Sequence, residues 1–125
     1  MNIRKVLEEA DELRPNVIDD GSKLAWLNDL ENTIYHQLIL PRMGHEEYEE
    51  PHIDSGTDYD HELIVKQPYE RLYVDYIMSK IDWVNREWEN YNNTAAQFKT
   101  TFDEYAAWYG RNHMYITTSR PKNYL

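Results

Sequence analysis

From position 69 to position 90 apolar and aromatic residues recur with a helical period, and no other stretch constrains the fold as much. At about 100° per residue, Leu72, Trp83, Tyr76, Tyr69, Tyr73, Val84, Ile77, Trp88 and Ile81 cover close to half the circumference, and Val74 and Met78 widen the arc. A helix packed on one side needs a stripe of roughly 100°. This one has apolar surface to spare, so it is either the central helix of a bundle or a helix that touches a second subunit. Lys80 and Glu87, seven residues apart, fall in the same arc. They read as a lysine with a buried stem, or as an ion pair fixing register between helices or subunits.

Other segments share the helical period. Over 3–13, Ile3, Val6, Leu7, Ala10 and Leu13 form one stripe, stopped at Arg14-Pro15 because the proline pushes Arg14 out of helical dihedrals. Asp19, Asp20 and Ser22 are caps for a second helix with Leu27, Leu30, Ile34 and Leu38 inside, Leu24 beside them and Trp26 on the flank. Pro41 ends it. Pro68 suits the start of the third helix. Asn92 or Asn93 caps a fourth over 94–109, with Ala95, Phe98, Phe102, Tyr105, Ala106 and Tyr109 inside and Gly110 as C-cap. The short break at 91–93 makes the last two helices antiparallel neighbours. The expected fold is all-α: a small antiparallel bundle of about four helices over 1–110 and an extended C-terminal arm over 111–125.

The connection between the second and third helices, 41–67, is long for so small a chain, and such loops are usually functional. Glu46, Glu47, Glu49, Glu50, Asp54, Asp58, Asp60 and Glu62 lie in it with no Lys or Arg between them. That is −8 of the total −10, while the end of the chain carries Arg111, Arg120 and Lys122 and no acid. A chain this acidic is poorly suited to grip nucleic acid, where affinity rests on neutralising phosphates. The absence of cysteine excludes disulfides and thiolate chemistry. The acidic start lacks the apolar run of a signal peptide, and no stretch reaches the roughly 20 apolar residues of a membrane span. A soluble protein of a cytoplasm-like compartment is expected.

The search for chemistry finds no phosphate loop, nucleophile elbow or zinc-protease helix. His45, Glu46, Glu47, His52, Asp54, Asp58, Asp60 and His61 are the best metal candidates, but Asp54–Asp60 lacks the ligand order and closing Glu of an EF-hand. Glu31 with His36, or Asp75 with Asp82, are pairs of the kind that any exposed helix face offers. Neither enzyme activity nor a cofactor or metal is expected. The 11 Tyr and 4 Trp against 2 Phe instead suit protein–protein contact, since these rings pack on one side and stay wet on the other.

Several blocks point to a family. Ala10-Asp-Glu-Leu-Arg-Pro-Asn16, Trp26-Leu-Asn-Asp-Leu-Glu31, Pro68-Tyr-Glu-Arg-Leu-Tyr73, Ile81-Asp-Trp-Val-Asn-Arg-Glu87, Tyr91-Asn-Asn-Thr94 and Phe102-Asp-Glu-Tyr-Ala-Ala-Trp-Tyr109 together resemble the small head–tail connector (adaptor) proteins of tailed phages and prophages of Gram-positive bacteria. The resemblance covers most of 10–109 and rests on the order and spacing of the blocks. It implies a helical subunit of a ring of about twelve copies, docked under the portal in the virion neck and assembled in the host cytoplasm. Such a ring extends the channel for double-stranded DNA without binding it specifically, and meets a stopper or tail-completion protein below. Loop 41–67 and arm 111–125 would be the partner-facing parts, with the eight acids facing the DNA channel and Arg111, Tyr115, Arg120, Lys122 and Tyr124 reaching the portal. Trp26, Trp83, Trp88 and Trp108, with Lys80 and Glu87, are the candidate subunit contacts, although each Trp suits a core equally well. The alternatives are an acidic DNA-mimic inhibitor of a host enzyme, and a stopper or tail-completion protein of the same neck.

Overall fold

A computed structural model describes residues 1–116. Four α-helices, α1 (Ile3–Leu13), α2 (Asp20–Ile34), α3 (Arg71–Val84) and α4 (Trp88–Asn112), form a small all-α bundle. Extended pairing among the described residues is confined to two isolated bridges, Asn2 with Glu62 and Arg42 with Tyr115. Among these residues no helix is long and apolar enough to cross a membrane.

Helix α1 starts where Asn2 Oδ1 accepts the Lys5 backbone N–H at 2.9 Å, satisfying one of the donors that a helix N-terminus leaves unpaired. Its Ile3, Val6, Leu7 and Ala10 are buried, while Leu13 at the end of the stripe is exposed. Arg14 leaves helical dihedrals before Pro15, as expected. Asp19 takes the N-cap position of α2, and its carboxylate accepts the Ser22 hydroxyl at 2.6 Å. Leu24, Leu27, Leu30 and Ile34 are buried, and Lys23 and Glu31 are buried with them. Past Ile34 the helix widens into one π-turn, Tyr35–Ile39, closed by the Leu40 N–H on the Tyr35 carbonyl at 2.8 Å.

Helix α3 is the centre of the bundle, with α1, α2 and α4 packed on it. It starts at Arg71, so Pro68 precedes it by a turn instead of opening it. Leu72, Tyr73, Val74, Ile77, Met78 and Ile81 are buried, and each such aliphatic side chain contributes roughly 1.5–3 kcal/mol on leaving water. Partners on several sides account for most of the wide apolar arc. The surplus is confined to the C-terminal end, where Trp83 and Val84 are 54% and 50% exposed.

The Tyr91-Asn92-Asn93 stretch carries the sequence signal for a break, but the chain turns earlier, at 85–87. There the Arg86 N–H bonds the Trp83 carbonyl at 3.1 Å and the Glu87 N–H bonds the Asp82 carbonyl at 2.9 Å. Arg86 sits at φ 57° between them. This is the Schellman arrangement, with arginine in the left-handed position that usually falls to glycine. Asn92 and Asn93 are exposed residues inside α4, and Gly110 is a partly buried residue of its last turn, because α4 runs on to Asn112. Three ring pairs fix the antiparallel register: Trp83 with Tyr91 at 5.2 Å, Tyr76 with Phe98 at 5.0 Å and Tyr69 with Tyr105 at 5.7 Å. Each step moves seven residues forward on one side and seven back on the other, a heptad seam built of aromatic rings.

Candidate functional site

The eight acids between Glu46 and Glu62 are all exposed, but the segment carrying them is a fixed strap. Its Ile53, Leu63 and Val65 are buried in the core. The Leu63 N–H reaches the Met1 carbonyl at 3.0 Å, the Arg4 N–H reaches the Tyr59 carbonyl at 2.9 Å, and the Ile3 N–H reaches the His61 carbonyl at 3.3 Å. Asn28 of α2 accepts the Ile53 N–H at 2.9 Å. Under the strap, the buried Glu31 carboxylate accepts the Ile64 N–H at 2.9 Å and the Tyr73 hydroxyl, while the Tyr73 oxygen accepts the Val65 N–H at 2.9 Å. Burial pushes Glu31 above the ordinary carboxylate range, and the bonds from Tyr73 and Ile64 oppose it.

Several strap carboxylates have partners, and the cations beside Asp60 and Glu62 make the local field weaker than −8 implies. Glu50 meets His36 at 3.0 Å, Asp54 meets His52 at 2.8 Å, Asp60 meets Arg4 at 3.1 Å, and Glu62 lies 3.4 Å from the N-terminal ammonium and 3.5 Å from Lys66. The Gly56 backbone N–H, then His52, hold Asp54 below its ordinary value. Among the described residues no group of three or more His, Asp or Glu side chains could hold a metal ion, so the metal candidates of this segment do not converge.

The four tryptophans are not brought together. Trp83 and Trp88 stack edge to face at 5.1 Å across the α3–α4 turn, and both remain about half exposed. Beside them a groove of about 490 Å³ is lined by Tyr76, Ser79, Lys80, Trp83, Tyr91, Ala95 and Phe98. The Lys80 ammonium lies 5.3 Å from the Tyr76 ring. Glu87 instead sits at the N-cap of α4, and the two form no ion pair among the described residues. Trp108 lies near the other end of α4 against Tyr69 and Tyr105, and Trp26 is half-buried against the core.

Of the arm, Arg111 belongs to the last turn of α4 and Tyr115 bridges back to Arg42. Arg120, Lys122 and Tyr124 lie outside the described residues. Arg42 fastens this corner: its guanidinium donates to the Gly110 and His113 carbonyls at 3.2 and 2.7 Å and lies 3.8 Å from the Tyr115 ring.

Sequence reasoning missed the buried polar groups that tie these parts together. Asp82, 1% exposed, accepts the Arg14 Nε–H at 2.9 Å and the Thr94 hydroxyl at 3.1 Å. Asp75 and Asp82 are therefore buried structural groups and not members of an exposed face. The signal for Glu31 was present, since it lies between Leu27 and Ile34 on the inner stripe of α2. Arg14, Asp82 and Thr94 come from three separate blocks of the family resemblance, and the fold joins them in one cluster. No family model, curated protein or solved structure matches the chain.

Proposed function

We propose that this chain is a structural head–tail connector (adaptor) subunit of a tailed bacteriophage neck, working by binding and not by catalysis. The observation that carries the reading is the Arg14–Asp82–Thr94 cluster. Blocks that resemble a family only by their order and spacing meet at one buried point, as blocks defining a shared fold should. The half-exposed Trp83 and Trp88 add to it, because exposed paired tryptophans suit a subunit that acts in an assembly. In the assembled neck the subunits form a ring of about twelve copies under the portal, and the ring meets a stopper or tail-completion protein below.

In this reading the strap acids line or border the DNA channel, where like charge keeps the duplex from sticking. Replacing the eight acids by Gln and Asn should then impair DNA ejection or the retention of packaged DNA, and unchanged phage would remove the acids from the channel. The same exposed carboxylates favour the second reading, a DNA-mimic inhibitor. Mass by light scattering, alone and with the portal, together with negative-stain images, tests both. A ring, free or on the portal, supports the connector. A persistent monomer indifferent to portal refutes it and favours the inhibitor.

A further inference from the structure

Among the described residues, apart from Leu13 and Val17, the exposed large apolar residues gather at the two ends of α4. At its start lie Trp83, Val84 and Trp88, beside the groove that Tyr91 and Lys80 help to line. At its finish lie Leu40, Met43, Met114, Tyr115 and Ile116, with Trp108 one turn back. This second patch is a small ribbon, held by the Met43 N–H on the Met114 carbonyl at 2.8 Å and the Ile116 N–H on the Pro41 carbonyl at 3.0 Å. The 25 residues of α4 hold the two patches roughly 36 Å apart at 1.5 Å per residue. One copy therefore cannot close its own patches on each other, but two copies can.

The chemistry of the patches is complementary. The groove is aromatic, and Lys80 is the one charged residue lining it, without an ion-pair partner among the described residues. The ribbon offers two methionines, unbranched thioethers that adapt to an irregular aromatic surface and favour sulfur–ring contact. Glu46 and Glu47 follow the ribbon directly: Glu46 has only His45 at 3.5 Å, and Glu47 has no ion-pair partner among the described residues. Groove on groove would set Lys80 against Lys80, which electrostatic complementarity disfavours, while the Arg42 guanidinium inside the ribbon is taken up by the Gly110 and His113 carbonyls and the Tyr115 ring.

We propose that the aromatic groove of one copy receives the Met43–Met114 ribbon of the next, with Lys80 facing Glu47. The contact joins two different surfaces, so copies associate head to tail, the geometry that closes into a ring or runs on as a filament. This deepens the connector reading and rests on it only in requiring that copies meet.

The chain has no cysteine, so engineered thiols report the contact directly. Two full-length variants, W88C and M114C, are mixed in equal amounts at physiological salt and oxidised, and W83C with M43C forms a second pair. All four positions are exposed, and far-UV circular dichroism checks each variant's fold. Because a disulfide needs Cα atoms within about 7 Å, the mixed dimer should exceed either symmetric dimer on the order of tenfold. K80E should weaken the trapping, and E47K in the other partner should restore it. Symmetric dimers equal to the mixed one, or no crosslink with either pair, would overturn the proposal. Rings on the portal without the mixed disulfide would overturn this docking and leave the connector standing. Absence of any assembly, with or without portal, would remove both.

Discussion

The position of the turn between α3 and α4 gives the sharpest test of the fold, because two substitutions should move stability in opposite directions. Arg86 holds φ 57° as the left-handed residue of the turn, a conformation that costs a side-chain-bearing residue roughly 1–2 kcal/mol. Its side chain is exposed and makes no ion pair among the described residues, so Arg86→Gly gives up no ion pair there. Glycine loses about 0.5–1 kcal/mol more unfolded-state freedom, which leaves a net gain of about 0.5–1 kcal/mol. Arg86→Ala keeps the strained backbone and should stay within about 0.5 kcal/mol of the parent. Asn93→Pro works the other way. Asn93 is the sixth residue of α4, where proline removes a helical hydrogen bond and clashes with the preceding turn, costing about 3 kcal/mol. Had the break fallen at 91–93, residue 93 would lie before the helix and proline there would remove no helical hydrogen bond. Urea denaturation monitored by far-UV circular dichroism measures both, with an unchanged slope confirming that the midpoint reports stability. Arg86→Gly no more stable than Arg86→Ala, or Asn93→Pro near neutral, would refute the turn.

Other consequences follow from the buried polar groups. Asp82→Ala removes a carboxylate bonded by Arg14 and Thr94 and should cost about 2–3 kcal/mol in urea, toward the upper end for bonds to a charged group; a cost under about 0.5 kcal/mol would show the cluster to be idle. Glu31 is held above its unfolded value of 4.5, so the native state keeps an extra proton between the two values. The stability it adds is complete below pH 4.5 and is lost as pH rises through the folded value. The stability difference between the parent and Glu31→Gln should therefore fall from pH 4 toward neutrality, and a flat or rising difference would contradict the burial. Arg42→Ala should free 113–116 from 41–43, read as faster amide exchange at Met43 and Ile116, with the helical content unchanged.

The amino-acid sequence by itself determined the helices and most of their inner faces. Periodicity reports which side of a helix meets apolar surroundings, and α1 and α2 are bounded by Pro15 and Pro41, residues that act locally. It also separated the acidic segment from the body, since charge is counted without geometry. The tertiary structure alone decided where α3 ends, because Arg86 in a left-handed turn has no local signature and Asn92-Asn93 imitates one. It decided that 41–67 is a strap and not a free loop, through Glu31, Tyr73 and the paired N-terminus, residues far apart in the chain. It also decided which tryptophans stay on the surface: Trp83 and Trp88 share the pattern of the buried residues yet are about half exposed, and Trp108 is 38% exposed. A repeating pattern records that a residue can be buried; only the arrangement of neighbours settles whether it is.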